Sequence, residues 1–309
     1  MKKIINFKYT FLGAIMLLSA ISCTDDDQSY PDPNKPIATV DTNSITINEG
    51  ESATVTLTLD KVIGDEIDYK IEVVGGDATD GDDFQIVADD DYPEFDLGPA
   101  GYRLTIPAGA SSRTFQINGL NDIYVDGSES VRLKITSAGN GNGLLENGEE
   151  FITVNLNNQT SQDFYVGLAW SGTYVDADGD EHDFCDFDLD LEIYTDVFGL
   201  VATSYSSCPE EITVPANALA DGNYYLVPSF YDNDTGVAPA TNVQIPATIT
   251  FAKPGIDVAQ IDISDVWDYE TGGFEQGNPD AYLVRYLLNI SGTTYTVTDL
   301  ETNQVVFQN

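Results

Sequence analysis

The sequence is poor in basic residues: 12 Lys and Arg stand against 52 Asp and Glu, a formal net charge of −40. A chain of that sign repels phosphate backbones and anionic membrane surfaces alike, which excludes nucleic acid as a partner. Histidine occurs once, at His182, so any Ser-His-Asp or Cys-His arrangement would run through that imidazole, and no Gly-x-Ser-x-Gly motif stands near it. A zinc hydrolase wants more imidazole than this. A glycosidase needs only two carboxylates ~5–10 Å apart, which so acidic a sequence neither identifies nor excludes, although each half of the chain is small for a substrate cleft. The expectation is a protein that binds and does not catalyse. Helical periodicity is also lacking, and no run is apolar for the about 20 residues that cross ~30 Å of hydrocarbon.

The N-terminus has the order of a secretory signal over residues 1–22: Lys2, Lys3 and Lys8, an apolar run from Phe11 to Leu18, then the small residues Ser19, Ala20 and Ser22. Ala20-Ile21-Ser22-Cys23 resembles a bacterial lipobox, with Ile21 a loose fit, and implies lipidation of Cys23. Thr24-Asp25-Asp26-Asp27 resembles the acidic signal that exports Bacteroidetes-type lipoproteins to the outer face of the outer membrane. The membrane is then a partner only through the lipid. Residues 23–36, with Pro31, Pro33 and Pro36, read as an extended tether. Three cysteines divide into one for lipid and two, Cys185 and Cys208, left to form a disulfide in an oxidising compartment; free buried thiols or a metal pair are the other readings.

At 42% hydrophobic residues the remainder builds a core, and roughly 270 residues suggest two domains, 37–158 and 162–309. In the first, apolar residues alternate at Ile45 and Ile47, Val55 to Leu59, Tyr69 to Val73, Leu104 and Ile106, Phe115 and Ile117, Val131 to Ile135, and Ile152 to Leu156. This predicts seven short strands closing as a Greek-key β-sandwich. The second continues with Phe164 to Trp170, Phe187 to Ile193, Tyr224 to Phe230, Val243 to Phe251, Ile261 and Ile263, Tyr282 to Ile290, and Tyr295 to Val297. The fold class is all-β, two tandem β-sandwich domains. In Asp186-Phe187-Asp188-Leu189-Asp190-Leu191-Glu192-Ile193 the carboxylates are expected on one solvated side of a strand.

Four motifs stand in order in the first domain: Ile47-Asn48-Glu49-Gly50-Glu51; Gly76-Asp77-Ala78-Thr79-Asp80-Gly81-Asp82-Asp83-Phe84; Leu104-Thr105-Ile106-Pro107-Ala108-Gly109-Ala110; and Asn121-Asp122-Ile123-Tyr124-Val125-Asp126-Gly127-Ser128-Glu129. Together they resemble a Calx-β domain, an immunoglobulin-like Ca²⁺-binding sandwich of exchangers and bacterial surface proteins. The resemblance implies Ca²⁺ at one end of the sandwich, with Glu49, Asp83, Asp122, Asp126 and Glu129 at ligand positions. A hard ion with six to eight oxygen ligands needs such convergence. Asn121, Ile123 and Asn157-Asn158 depart from the acidic residues of that pattern, which removes charge and implies one weak site, in the ~10⁻⁴–10⁻³ M range of extracellular modules. Asp80-Gly81 and Asp126-Gly127 are also turn dipeptides in their own right.

Asp176, Asp178 and Asp180 alternate around Gly179 and read either as a weaker metal loop or as an acidic hairpin loop; the bidentate Glu of an EF-hand is absent. Leu168 to Gly172 with the Asp-Leu strand weakly resembles pre-peptidase C-terminal sandwich domains. The expected function is adhesion or extracellular binding by a Ca²⁺-stiffened surface lipoprotein, its partner an extracellular protein. The alternative is a glycan-binding lipoprotein of nutrient uptake, with Trp170, Trp267, Tyr269 or Tyr231 as stacking platforms and Asp268 to Phe274 as an exposed loop.

Overall fold

A period of two in apolar residues gives a segment one face for a core and one for water. The computed structural model describes residues 35–92, 99–138, 141–233 and 237–309. Cys23, the signal segment and all but the end of the tether lie outside the described residues. The chain begins with β1 (Ile37–Val40), β2 (Ser44–Asn48), β3 (Ser52–Leu59), β4 (Ile67–Gly76), β5 (Phe84–Val87) and β6 (Asp90–Tyr92). It continues with β7 (Gly101–Ile106), β8 (Ser112–Gly119), β9 (Ser128–Ser137), β10 (Leu144–Leu145) and β11 (Glu149–Asn157). They form two sheets, β10-β1-β3-β8-β5 and β2-β11-β9-β4-β7-β6.

All seven strands expected from alternation are present. The additional β1, β5, β6 and β10 have two to four residues each, too few for a period to show. Between the sheets lie Val55, Leu57, Tyr69, Ile71, Leu104, Phe115, Ile117, Leu133, Ile135 and Val154, all buried. Truncating a leucine in such a core costs about 2–5 kcal/mol. Consecutive strands β1 and β2 belong to different sheets, and each lies parallel to its partner: Ile37 opposite Leu144, and Ser44 to Asn48 opposite Thr153 to Asn157.

The second part comprises β12 (Phe164–Trp170), β13 (Thr173–Val175), β14 (Glu181–Asp183), β15 (Asp188–Thr195), β16 (Leu200–Ser204) and β17 (Glu210–Val214). After these come β18 (Gly222–Asp232), β19 (Ala247–Lys253), β20 (Asp257–Asp262), β21 (Tyr286–Ser291), β22 (Thr294–Asp299) and β23 (Gln304–Gln308). Sheets β17-β12-β19-β20 and β16-β15-β18-β21-β22-β23 enclose a separate core containing Phe164, Leu168, Leu189, Leu191, Ile193, Phe230, Phe251 and Tyr286. The hairpin β13-β14 stands apart. Val243 and Ile245 were expected in a strand, but Pro246 has no N–H to give a ladder and β19 begins after it. Among the described residues no helix is long and apolar enough to cross a membrane.

The expectation that the carboxylates of β15 face water is corrected. They point away from the core, and Asp186 is exposed and Asp188 half-buried, yet Asp190 and Glu192 are both buried. Tyr194 and Tyr205 donate their hydroxyls to Glu192.

Cys185 and Cys208 are joined in a disulfide across 23 residues of sequence, tying the short 3₁₀ turn Phe184–Asp186 to the entry of β17. Closing a loop of this size restricts the unfolded chain by roughly 3 kcal/mol. Cys185→Ser/Cys208→Ser is therefore expected to lose about that much stability in urea unfolding, with the wild type losing the same amount under reductant.

Candidate functional site

Three connections meet at one end of the first sandwich. The β2–β3 turn is drawn onto the β8–β9 loop by backbone bonds in both directions, Gly50 N–H to Gly119 O (2.9 Å) and Gly119 N–H to Glu51 O (2.9 Å). Gly50 has φ +74°, and a Cβ there would stand 2.8 Å from the Asn121 amide, so the close approach requires glycine. Gly76 lets β4 cross its neighbour β9. Its φ is +116°, and a Cβ would lie 2.1 Å from the Ser130 carbonyl. Beyond it, Asp77 and Ala78 both donate backbone N–H groups to Ser130 O, which carries residues 77–83 alongside the start of β9. Leu120 N–H to Asp83 O (2.8 Å) then fastens this loop to the one after β8.

The loops bring Glu49, Asp83, Asp122, Asp126 and Glu129 into one electrostatic neighbourhood. Burial, and after it the carboxylates of Asp83, Asp126, Asp77 and Asp122, push the Glu129 carboxyl up to about 7. Asp126 is raised by burial, then by Asp122 and Asp83. Glu49 is raised chiefly by burial; a hydrogen bond from the Gln159 N–H (3.0 Å) opposes this, and Asp122, Asp126 and Asp83 add to it. Among the described residues, Lys70 and Lys134 pair with Glu72, Arg113 with Asp89, and Arg285 with Asp299 and Glu301.

The donor set is all oxygen, the chemistry of a hard cation such as Ca²⁺. Among the described residues, however, no three or more His, Cys, Asp or Glu side chains are spaced to hold a metal ion. The carboxylates share a field without converging to coordination distance. Several are also occupied. Asp83 accepts the Thr79 N–H (2.6 Å) and Asp122 the Tyr124 N–H (2.7 Å). The positions that depart from the acidic pattern serve as struts: Asn157 Nδ2 donates to Asn48 Oδ1 (3.1 Å) and Asn158 Nδ2 to Tyr124 O (3.1 Å).

Asp77 belongs to the same field and was not singled out in the sequence, although it stands inside a quoted motif. Its carboxylate takes the Ser130 N–H (2.7 Å) and hydroxyl, and these bonds hold its pKa below the usual range. It therefore contributes a persistent charge beside Glu129.

The Asp176, Asp178, Asp180 segment is the turn of the β13–β14 hairpin. Asp176 accepts the N–H groups of Asp178 and Asp180, each at 2.9 Å, and lies 3.2 Å from His182 Nε2. Those bonds, with that of Asp180 foremost, hold its pKa down. The acids of this turn organise the turn itself, and the only imidazole is engaged there, stacked on Tyr174. Of the aromatic platforms, Trp170 and Trp267 are 2% and 1% exposed and belong to the core. Tyr269 packs against that core, and Tyr231 lies beside the exposed Phe274.

The sequence matches no protein-family model and no curated protein. Similar solved structures include CBD12 from CALX1.2, at 12% identity and TM-score 0.31 over 70% of this chain and 79% of that one. The calcium binding domain CBD12 of CALX1.1 has 14% identity and TM-score 0.27 over 64% and 82%. The E. coli chaperone DraB has 11% identity and TM-score 0.25 over 62% and 92%. Likeness at this level assigns neither a ligand nor an activity.

A carboxyl whose pKa is raised on folding is destabilising when ionised, so its cost is present above the folded value and disappears as pH falls toward the unfolded one. In chelator, Glu129→Gln is expected to raise stability at pH 8 by roughly 1–2 kcal/mol, discounted for partial exposure. The gain should fall as pH drops below about 7 and reach zero only at about pH 4, below the unfolded value, where the carboxyl is protonated in both states. Thermal unfolding across that window checks it, and a gain independent of pH would contradict the assignment.

Proposed function

We propose that the loop end of the first sandwich binds Ca²⁺ through Glu49, Asp83, Asp122, Asp126 and Glu129. The chain then acts as a non-catalytic, cell-surface lipoprotein in adhesion or extracellular binding. One observation carries the reading: the Glu129 carboxyl is held near 7 by burial and four neighbouring carboxylates. A bound divalent ion would supply the missing positive charge and draw the loops inward. Glu129 is the carboxyl raised furthest, Asp77 supplies fixed charge beside it, and Glu49 joins the site to the segment following β11 through Gln159. Order in the loops would pass to the segment after β11 through that bond. The Calx-β motifs of the sequence support the same assignment, as does an oxygen-only donor set.

Surface anchoring rests on the lipobox-like Ala20-Ile21-Ser22-Cys23 and the acidic residues after it, and the disulfide fits an oxidising compartment. The partner is an extracellular protein or glycan. For a glycan, the burial of both tryptophans leaves only tyrosine and phenylalanine faces in the second sandwich.

The test uses the soluble chain beginning after Cys23, unfolded thermally in chelator, in Ca²⁺ and in Mg²⁺. A ~1 mM site at about 20 mM Ca²⁺ contributes roughly 1.8 kcal/mol, which should raise Tm by several degrees. The rise should be absent in Asp126→Asn/Glu129→Gln and weaken below about pH 7, since the ligand must be deprotonated to bind. An equal response to Mg²⁺, or no response, would make the first sandwich a metal-free spacer.

A further inference from the structure

The second sandwich carries a separate group of acids on the outer face of β15, far in sequence from the Ca²⁺ loops. Leu189, Leu191 and Ile193 point into the core, so Asp188, Asp190 and Glu192 share the opposite face. These acids differ in how they are held. Glu192 accepts hydroxyl donors from Tyr194 (2.8 Å) and Tyr205, and Glu210, from β17, accepts the Ser204 hydroxyl and the Ser207 N–H. Asp190 is 9% exposed and, among the described residues, has neither a hydrogen-bond donor nor a basic partner. A carboxylate this largely buried and without a donor is costly to ionise. Burial first, then Asp188, Glu192 and Glu210, push its carboxyl up to about 7.

What surrounds Asp190 points to the occupant. Asp190 lies opposite Ser229 of β18, and Ser229 in turn lies opposite Tyr282; Tyr231 follows on β18 and donates its hydroxyl to Glu275 (3.0 Å). Phe274 bridges the two rings, at 6.2 Å from Tyr231 and 5.6 Å from Tyr282. Tyr282 and Phe274 are 39% and 47% exposed, so an apolar rim stands open beside a carboxylate lacking a donor. Beside Asp188, a shallow cavity of about 260 Å³ extends along the disulfide, lined also by Phe187 and Ser207.

We infer that this face is a binding site for an organic cation, a primary ammonium or guanidinium group seated on Asp190 and Asp188 with its stem or plane against Tyr231, Tyr282 and Phe274. Carboxylates with aromatic faces are the two features such a group uses, through charge-assisted hydrogen bonds and cation–π contact. A neutral sugar could stack on the rim but would leave the repulsion among the acids untouched. A hard metal ion needs six or more converging oxygens, whereas Asp188, Asp190 and Glu192 stand in a row along one strand and Glu192 and Glu210 already accept hydrogen bonds. The cation could come from a free amine or from a Lys or Arg side chain of a partner protein. The site is independent of the Ca²⁺ reading.

The test is calorimetric titration of the soluble chain in about 0.3 M salt, which screens exposed charges beyond ~6 Å. The probes are spermidine, N-acetyl-lysine amide, N-acetyl-arginine amide and a short Lys/Arg-containing peptide, with a neutral oligosaccharide and Ca²⁺ as comparisons. At least one cationic probe should bind, and Asp190→Asn should weaken it tenfold or more while folding as stably as wild type or better. Tyr282→Ala should weaken it several-fold. Glu129→Gln and Glu146→Gln should leave it unchanged, the latter as a control for bulk attraction to an acidic chain. Binding of the peptide alone identifies a side chain of a partner protein, and equal binding of the free amines identifies a small cation. Failure of every cationic probe, binding indifferent to Asp190→Asn, an equal loss in Glu146→Gln, or a response of this face to oligosaccharide or Ca²⁺ alone would overturn the inference.

Discussion

The constraint on which the structure depends is the two-residue period of the extended chain. It divides every strand into a face that must be dry and a face that must not cost too much when wet. In a chain of net charge −40, the second face and the loops have to carry nearly all the carboxylates. Where they spread over open surface they are cheap. Where loop closure or tyrosine side chains crowd them, each charge is desolvated and repelled at once, and the raised carboxyls of Glu129 and Asp190 mark those two places. Among the described residues, the lysine and arginine ion pairs lie elsewhere. Lys70 and Lys134 converge on Glu72 along the β4–β9 ladder, with Lys70 and Glu72 themselves buried.

The two crowded places differ in construction. At the loop end of the first sandwich the acids come from three connections, and backbone bonds position them: Gly50 to Gly119, Leu120 to Asp83, and Asp77 to Ser130. Such a group can contract as the loops adjust. On β15 the acids are fixed by strand geometry, two residues apart, and what varies is the cover of Tyr194, Tyr205 and Tyr282. A contractile cage suits a small ion, and a rigid row under aromatic rings suits a flat or elongated cation.

How much of this could be read beforehand follows from the range of each signal. Alternation within Val131 to Ile135 or Ile152 to Leu156 is local, so those strands were legible. β10, with two residues, and β6, with three, were not. The Val243 to Ile245 stretch carried the right pattern but met Pro246, whose missing N–H ended it. For the first acidic group, ordered motifs pointed to Glu49, Asp83, Asp122, Asp126 and Glu129; the structure has the first four in connecting loops and Glu129 at the start of β9, in one field. Asp77 escaped notice because its membership depends on the crossing at Gly76, a tertiary event. For Asp190 and Glu192, the period identified their face correctly but could say nothing of what lies over it. Tyr205 meets Glu192 from 13 residues away, and Tyr282 arrives from another part of the chain.

The parallel pairing of β2 with β11 bears on how the first sandwich transmits tension. β11 leads out of this sandwich at Asn157, and β2 is reached from the N-terminal side through β1. A pull between the N-terminal side and the second sandwich therefore acts on these two neighbouring strands from opposite ends. Along Ser44–Thr153 to Asn48–Asn157, the ladder is then sheared along its length and not opened pair by pair. All its hydrogen bonds resist together, and the last of those pairs lies where Glu49 and Gln159 meet, so the acidic loop end is also where the mechanical load leaves the sandwich.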